Sequence, residues 1–141
     1  MNLIRKDDIM KTRIVALIFP FIALIFEALP YGAVLNFANL DGEIFRETYS
    51  YFDLMPFGYA NFAPLITALL TCVILCLVGL YAVNGGKKIC LVAAIVSTVA
   101  CVVSFAPISD GAYSLVGAVI TFLLAVSSGI SFYTWLKADS E

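Results

Sequence analysis

The chain of 141 residues contains no histidine, and charged residues make up only 13% of it. Histidine is the commonest general base and the commonest metal ligand, so its absence counts against an enzyme and against a metal site. The formal net charge is −2, and no run of basic residues exceeds two, which argues against nucleic acid as a partner. We therefore expect a non-enzymatic protein that holds no metal and no cofactor.

The cysteines lack the spacing of a zinc site or of a C-x-x-C redox pair. All four lie inside apolar runs, at Cys72, Cys76, Cys90 and Cys101. Free cysteine is among the most buried residue types and packs as a small apolar side chain. We interpret these residues as packing residues and predict no disulfide.

Apolar residues dominate the chain. They make up 62% of it, against roughly 45–50% in soluble domains. Four apolar runs are each long enough to cross a bilayer, which takes about 20 residues; they lie at 14–37, 62–83, 89–107 and 114–136. The predicted fold is an all-α integral membrane protein, a single domain over 1–141 that forms a four-helix transmembrane bundle.

Basic residues orient this predicted bundle. Seven of the eight Lys and Arg residues flank the spans on one side, and Arg46 lies on the other. The positive-inside rule then places both termini in the cytoplasm and the loop 38–61 outside. We expect the protein to lie in the plasma membrane. We expect the first apolar run to be retained rather than cleaved as a signal peptide, because no small-x-small site follows it before Pro30.

The long first loop predicts a short amphipathic helix on the outer membrane interface. In "DGEIFRETYSYF" Asp41 is a candidate N-cap, and helical spacing aligns Phe45, Tyr49 and Phe52 on one side. Phe57 and Tyr59 add to the aromatic density of the loop. Two interpretations stay open. These five aromatic residues form either an aromatic belt that caps the bundle or a docking surface for a partner.

Glu27 is a carboxylate inside the first apolar run. Burial of a charge within a bilayer costs some kcal/mol, about 2.5–3.5 at the centre of a helix, so this side chain should face the bundle interior. In one interpretation it binds a proton, a cation or a cationic substrate. In the other it is a structural anchor. It is then hydrogen-bonded to Tyr31 or to a polar group on the second helix, or paired with Arg46; the mildly polar side of that helix carries Thr67, Thr71, Cys72 and Cys76.

Small residues predict where the third and fourth spans pack, since close approach of backbones stabilises helix pairs in lipid. The fourth span carries a ridge with one small residue every four positions: Gly117, Thr121, Ala125 and Gly129. The third span offers a matching stripe: Ala93, Ser97, Ala100 and Ser104. We expect these two faces to pack antiparallel. The alternative is that one of them faces a second copy of the protein.

Two families share general features with this pattern. A glutamate in the first of four helices resembles the small multidrug exporters, in which that residue exchanges protons for cationic drugs, whereas their loops are all short. A long first outer loop with cytoplasmic termini resembles the claudin-type tetraspan proteins, whose loop carries a tryptophan motif and a cysteine pair. The only tryptophan here is Trp135, outside that loop, so we assign the chain to neither family.

The sequence thus favours an accessory subunit, scaffold or sensor that binds other membrane components. Its predicted partners are the lipid bilayer together with another membrane protein or a further copy of itself, bound through the first loop and the small-residue helix faces. A small proton-coupled transporter or ligand-binding membrane protein that uses Glu27 is the alternative.

Overall fold

The computed structural model describes residues 2–54, 62–109, 111–112 and 114–137. The chain is mostly helical, as predicted. In chain order the elements are α1 (Asn2–Ala28), β1 (Ala33–Ala38), β2 (Ile44–Tyr49), α2 (Phe62–Asn84), α3 (Lys87–Ser104), α4 (Ala106–Ser109) and α5 (Leu115–Lys137).

Three of the helices, α2, α3 and α5, are long and apolar enough to cross a membrane. Two of them, α2 and α5, match the predicted runs 62–83 and 114–136 to within one residue at each end. The third predicted helix, 89–107, is shorter at its C-terminal end, because α3 stops at Ser104. Pro107 lacks an amide hydrogen and lies in the first turn of the separate helix α4, where proline is tolerated.

The four long helices pack in a ring in which each contacts two others. In this ring α1 contacts α2 and α5, and α3 also contacts α2 and α5. Polar contacts show that α3 and α5 run antiparallel. Residues from the C-terminal to the N-terminal end of α3 meet residues progressively later in α5, in the pairs Ser104 with Thr121, Thr98 with Ser128, and Cys90 with Thr134.

The helices bury their small and hydroxyl-bearing residues and expose many large apolar ones. Buried positions include Ala23, Ala68 and Ala94. Exposed positions include Phe122, which is 66% exposed, and Leu80, which is 51% exposed. This distribution suits a protein whose surroundings are apolar, because small residues allow close helix packing and lipid accepts the large apolar side chains.

The predicted first helix, 14–37, extends too far towards the C-terminus. Helix α1 stops at Ala28, and its last turn tightens through a bond from the Leu29 amide to the Phe26 carbonyl of 3.2 Å. Pro30 disfavours the helical conformation of the residue before it and cannot itself donate a helix hydrogen bond. The helix therefore ends before Pro30, whereas α1 continues through Pro20.

The predicted amphipathic helix in the first loop is also wrong. The segment forms an antiparallel hairpin of β1 and β2, in which Phe37 pairs with Phe45 and Ala33 with Tyr49. A spacing of four residues puts Phe45 and Tyr49 on one side of either a helix or a strand, so that spacing could not separate the two. The Asp41-Gly42 dipeptide between two runs rich in β-branched and aromatic residues is the hairpin signal.

The two small-residue stripes behave differently. All four positions of the α3 stripe, Ala93, Ser97, Ala100 and Ser104, are buried. On α5, Thr121 meets Ser104, but Ala125 and Gly129 are exposed, so the predicted ridge does not follow the interface with α3. A row with a strict spacing of four drifts by about 40° at each step around a helix, whereas alternating steps of three and four stay on one face.

The actual buried face of α5 follows such mixed steps. Its buried residues after Ile120 and Thr121 are Leu123, Leu124, Ser127, Ser131 and Thr134. Because this face is largely hydroxyl-bearing, it bonds to α3 through side chains as well as through close contact.

Arg13 fixes α1 against the C-terminal end of α2. Its guanidinium donates to the carbonyl of Ala82 over 3.2 Å and lies 5.2 Å from the centre of the Tyr81 ring. A cation at a helix C-terminus satisfies an otherwise unpaired carbonyl and stabilises the helix dipole. This contact defines the end of the ring of helices that is opposite to the hairpin.

The two glycines of the predicted α5 ridge give a matched test of the packing. A side chain at Gly117 would meet Ser114 Oγ at 3.0 Å and the Gly32 carbonyl at 3.3 Å, whereas one at Gly129 would meet nothing within 4 Å. We expect Gly117→Leu to destabilise the protein by about 1–3 kcal/mol through overpacking and Gly129→Leu to be tolerated. Thermal unfolding of both variants in detergent measures this. Equal losses in the two variants would contradict the packing described here.

Candidate functional site

The hairpin turns through residues 39–43 outside the two strands. The Gly42 amide donates to the Asn39 carbonyl over 2.9 Å, and the Asn39 amide donates to the Glu43 carbonyl over 2.8 Å. Gly42 has a φ of 81°, in the left-handed region that favours glycine. The turn fixes the register of the two strands and therefore fixes which side chains share a face.

One face of the hairpin is rich in aromatic residues, and we call it the aromatic face: Leu35, Phe37, Phe45, Glu47 and Tyr49. Residues paired across an antiparallel ladder lie on the same side, and side chains alternate along each strand. The rings of Phe37 and Phe45 stack with centres 5.4 Å apart. The Tyr49 hydroxyl donates to the Glu47 carboxylate, and this bond raises the pKa of Tyr49. The opposite face carries Asn36, Arg46 and Thr48.

The base of the hairpin is bonded to the start of α5. Ser114 caps the N-terminus of α5 by accepting the Gly117 amide over 2.8 Å, and its hydroxyl donates to the Gly32 carbonyl over 2.6 Å. Tyr51 is only 2% exposed, and its ring lies so close to Gly32 that a Cβ there would approach it to 2.9 Å. The hairpin is therefore anchored to α5 rather than attached by a flexible linker.

Glu27 lies directly below this base. Its backbone carbonyl accepts the Tyr51 amide over 2.9 Å, and its side chain has no exposed surface. One carboxyl oxygen, Oε1, is hydrogen-bonded to the Thr71 hydroxyl over 2.7 Å. The other oxygen, Oε2, is buried without a hydrogen-bond partner among the described residues. A buried carboxylate with a single donor is under-satisfied, which is uncommon in folded proteins.

The other residues predicted to accompany Glu27 lie elsewhere. Tyr31 is 59% exposed, and Arg46 lies on the exposed strand β2 opposite Asn36. The contact that the structure does show is the hydrogen bond to Thr71, a residue on the polar side of the second helix.

The predicted docking residues are distributed along the hairpin and after it. Phe45, which is 40% exposed, and Tyr49 share the aromatic face. Phe52 is 38% exposed and follows the buried Tyr51. Phe57 and Tyr59 lie outside the described residues. Sequence reasoning missed Tyr51, although the alternation of Phe45, Glu47, Tyr49 and Tyr51 has the period of a strand, which would have placed Tyr51 on the same side.

Two further buried hydroxyls have no hydrogen-bond partner in the described part of the chain, those of Ser97 on α3 and Ser127 on α5. They lie one residue before Thr98 and Ser128, whose hydroxyls bond to each other over 2.8 Å, so they lie at the same level on adjacent helices. Across residues 2–54, 62–109, 111–112 and 114–137, no group of His, Cys, Asp and Glu side chains could hold a metal ion. Within these residues the buried polar side chains are hydroxyl-bearing ones, the Cys90 thiol and the Glu27 carboxyl group.

Comparison of the chain with protein-family models, with curated proteins and with solved structures finds no match.

Thr71 and Thr67 give a matched test of the Glu27 contact. Both threonines are fully buried on α2, but the Thr67 hydroxyl donates to the Ala63 carbonyl of its own helix, whereas that of Thr71 also reaches Glu27. We expect Thr71→Val to destabilise the protein by about 1–3 kcal/mol, since it leaves a buried polar group unsatisfied, and Thr67→Val to cost less. Thermal unfolding in detergent compares them. A Thr67→Val variant that is as unstable as Thr71→Val would show that the Glu27 contact contributes little.

Proposed function

We propose that this chain is a small polytopic protein of the plasma membrane that crosses the bilayer four times and binds another membrane component through its hairpin. Helices α2, α3 and α5 are the apolar spans. Helix α1 supports a fourth crossing, because it packs along both α2 and α5. Its polar residues Arg13 and Glu27 have partners on α2, at Ala82 and Thr71.

The first crossing in this proposal is completed by non-helical chain. After α1 ends at Ala28, the buried residues Ala33, Val34 and Leu35 continue towards the outer side. Non-helical backbone is tolerated at membrane depth only where it is buried in protein and its polar groups are bonded. The bonds of the Gly32 carbonyl to Ser114 and of the Glu27 carbonyl to Tyr51 meet that requirement.

The orientation that we propose follows the basic residues. Arg13, Lys87 and Lys137 lie at the end of the bundle opposite to the hairpin, and the positive-inside rule assigns that end to the cytoplasm. Lys87 lies 5.5 Å from the centre of the Trp135 ring, an aromatic residue of the kind that anchors helices at the interface. Both termini are then cytoplasmic and the hairpin is extracytoplasmic.

The observation that carries the docking proposal is the contrast between the two ends of the hairpin. Its base is buried against α5, whereas β2 is exposed along nearly all of its length. A two-stranded sheet is marginally stable alone, and the outer edge of a strand can pair with a further strand. A rigidly anchored ribbon with stacked aromatic rings is suited to binding an extended segment or a sheet edge of a partner. The partner that we propose is the extracytoplasmic part of another membrane protein.

Paired substitutions on the two faces of the hairpin test this proposal. We expect Phe45→Ala with Tyr49→Ala, both on the aromatic face, to reduce the partner that co-purifies with the tagged protein in mild detergent by at least about tenfold, since interface aromatic residues contribute up to several kcal/mol. Asn36→Ala with Thr48→Ala on the opposite face is the control and should leave the complex intact. Intact mass of the complex gives the stoichiometry.

Two results would reject the docking proposal. One is a protein that emerges from its native membrane alone, with no stoichiometric partner. The other is equal loss of the complex from both double variants at unchanged expression, because binding would then depend on the fold of the hairpin and not on its aromatic face.

Proton-coupled transport is the second candidate function, and the buried, under-satisfied carboxylate of Glu27 favours it. In this case Glu27→Gln should abolish proton movement driven by a lipophilic cation, such as tetraphenylphosphonium, in proteoliposomes, while Glu47→Gln on the exposed hairpin should not. Fluorescence of a pH-sensitive dye inside the vesicles reports the flux. Wild-type vesicles that behave like empty liposomes would remove this candidate for that class of cation.

A further inference from the structure

We propose that Glu27 is a proton-binding site, and that its side chain is a neutral carboxylic acid that donates a hydrogen bond to Thr71 when the bundle is closed. This inference goes beyond docking by the hairpin and does not depend on it. It rests on the positions of three oxygen atoms in the interior and on the absence of exposed surface at Glu27.

The count of hydrogen atoms favours the neutral form. The Thr71 hydroxyl oxygen lies 2.7 Å from Glu27 Oε1 and 3.0 Å from the Thr67 carbonyl oxygen, but a hydroxyl has one hydrogen to donate. With an ionised carboxylate, one of the two short oxygen contacts has no hydrogen in it. With a neutral acid, Glu27 donates to Thr71 and Thr71 donates to Thr67, so each contact holds one hydrogen.

The second carboxylate oxygen also favours the neutral form. Oε2 is buried without a partner among the described residues. An unbonded oxygen that shares a full negative charge is far costlier to bury than the carbonyl oxygen of a neutral acid, which carries only a partial charge. A proton on Oε1 therefore lowers the free-energy cost of burying Oε2 without a hydrogen bond.

Among the described residues, the titratable groups nearest to Glu27 supply no balancing positive charge. From the hairpin base, Tyr51 donates its amide to the Glu27 carbonyl, and on α2 Cys72 follows Thr71, which contacts the carboxyl group. Both are themselves weak acids. The described titratable residues of α5 are Tyr133 and Lys137, near its far end. On α1 itself, Arg13 is 14 residues away, roughly 21 Å along the helix, and bonds to Ala82.

The depth of the site makes the proton relevant to the membrane. Thr71 lies roughly 14 Å along α2 from Phe62 and about 20 Å from Asn84. If α2 crosses the bilayer as proposed, the carboxyl group lies inside the hydrocarbon layer, and its side chain has no exposed surface. A proton held there could leave only if this part of the bundle opened.

Infrared spectroscopy of the purified protein in detergent tests the proposal directly. A neutral carboxylic acid has a carbonyl stretching band that is separate from the bands of carboxylates and amides. We expect this band in the folded wild type at neutral pH, its complete loss in Glu27→Gln, and its retention in the control Glu47→Gln. We also expect Thr71→Val to shift the band to higher frequency, because the acid loses its hydrogen-bond acceptor.

A folded wild type without this band at neutral pH would overturn the proposal, as would a band that survives Glu27→Gln. If Glu27→Gln does not fold, the wild type grown with glutamate labelled with carbon-13 at the side-chain carboxyl replaces it. The band must then shift to lower frequency, and an unshifted band rejects Glu27 as its source. Failure of the hairpin variants to lose a partner would leave this result unaffected.

Discussion

A buried polar group is costly unless it is hydrogen-bonded, and the hydrogen bond between Glu27 and Thr71 is the contact on which the hairpin end of this ring of helices depends. It joins α1 to α2 at the level where α1 ends. The carbonyl of the same residue binds the amide of Tyr51, so the return of the chain after the hairpin is attached at that point too. Glu27 therefore organises three segments through one side chain and one backbone group.

Ser114 has the corresponding role on the other side of the hairpin base. Its hydroxyl caps α5 and donates to the Gly32 carbonyl. One side chain therefore joins the start of α5 to the segment that follows α1. The absence of a Cβ at Gly32 is what allows the Tyr51 ring to lie against it. These contacts explain how a chain that leaves its helix early, at Ala28, still buries its backbone.

The sequence predicts the apolar helices well and the segment between the first two poorly. Long apolar runs bounded by polar joints define α2 and α5 to within one residue, because length and hydrophobicity depend on local sequence alone. The hairpin could not be separated from a helix by the spacing of Phe45 and Tyr49, since four residues fit both periods. The turn at Asp41-Gly42 contained the missing information.

The candidate site could likewise be predicted only in part. That Glu27 faces the interior follows from the cost of exposing a charge to lipid, and the polar side of the second helix was a natural partner. Which hydroxyl it meets depends on how far α1 and α2 slide past each other, and the termination at Pro30 and the contact of Arg13 with Ala82 set that register. The drift of Ala125 and Gly129 away from α3 likewise depends on helix rotation, which a spacing of four does not define.

The proposed docking surface and the proposed proton site are connected by two residues of chain. Tyr49 belongs to the aromatic face, and the amide of Tyr51, two residues later, donates to the backbone carbonyl of Glu27. A partner that displaced β2 would act on Tyr51, whose ring lies against Gly32. Loss of the bond between Tyr51 and Glu27 would loosen the chain beside the carboxyl group, and entering water would favour its ionised form. Linkage is reciprocal, so a partner that promoted loss of the proton would itself bind more tightly after the proton had left. If the hairpin binds its partner and Glu27 holds a proton as proposed, the two events are linked through Tyr51.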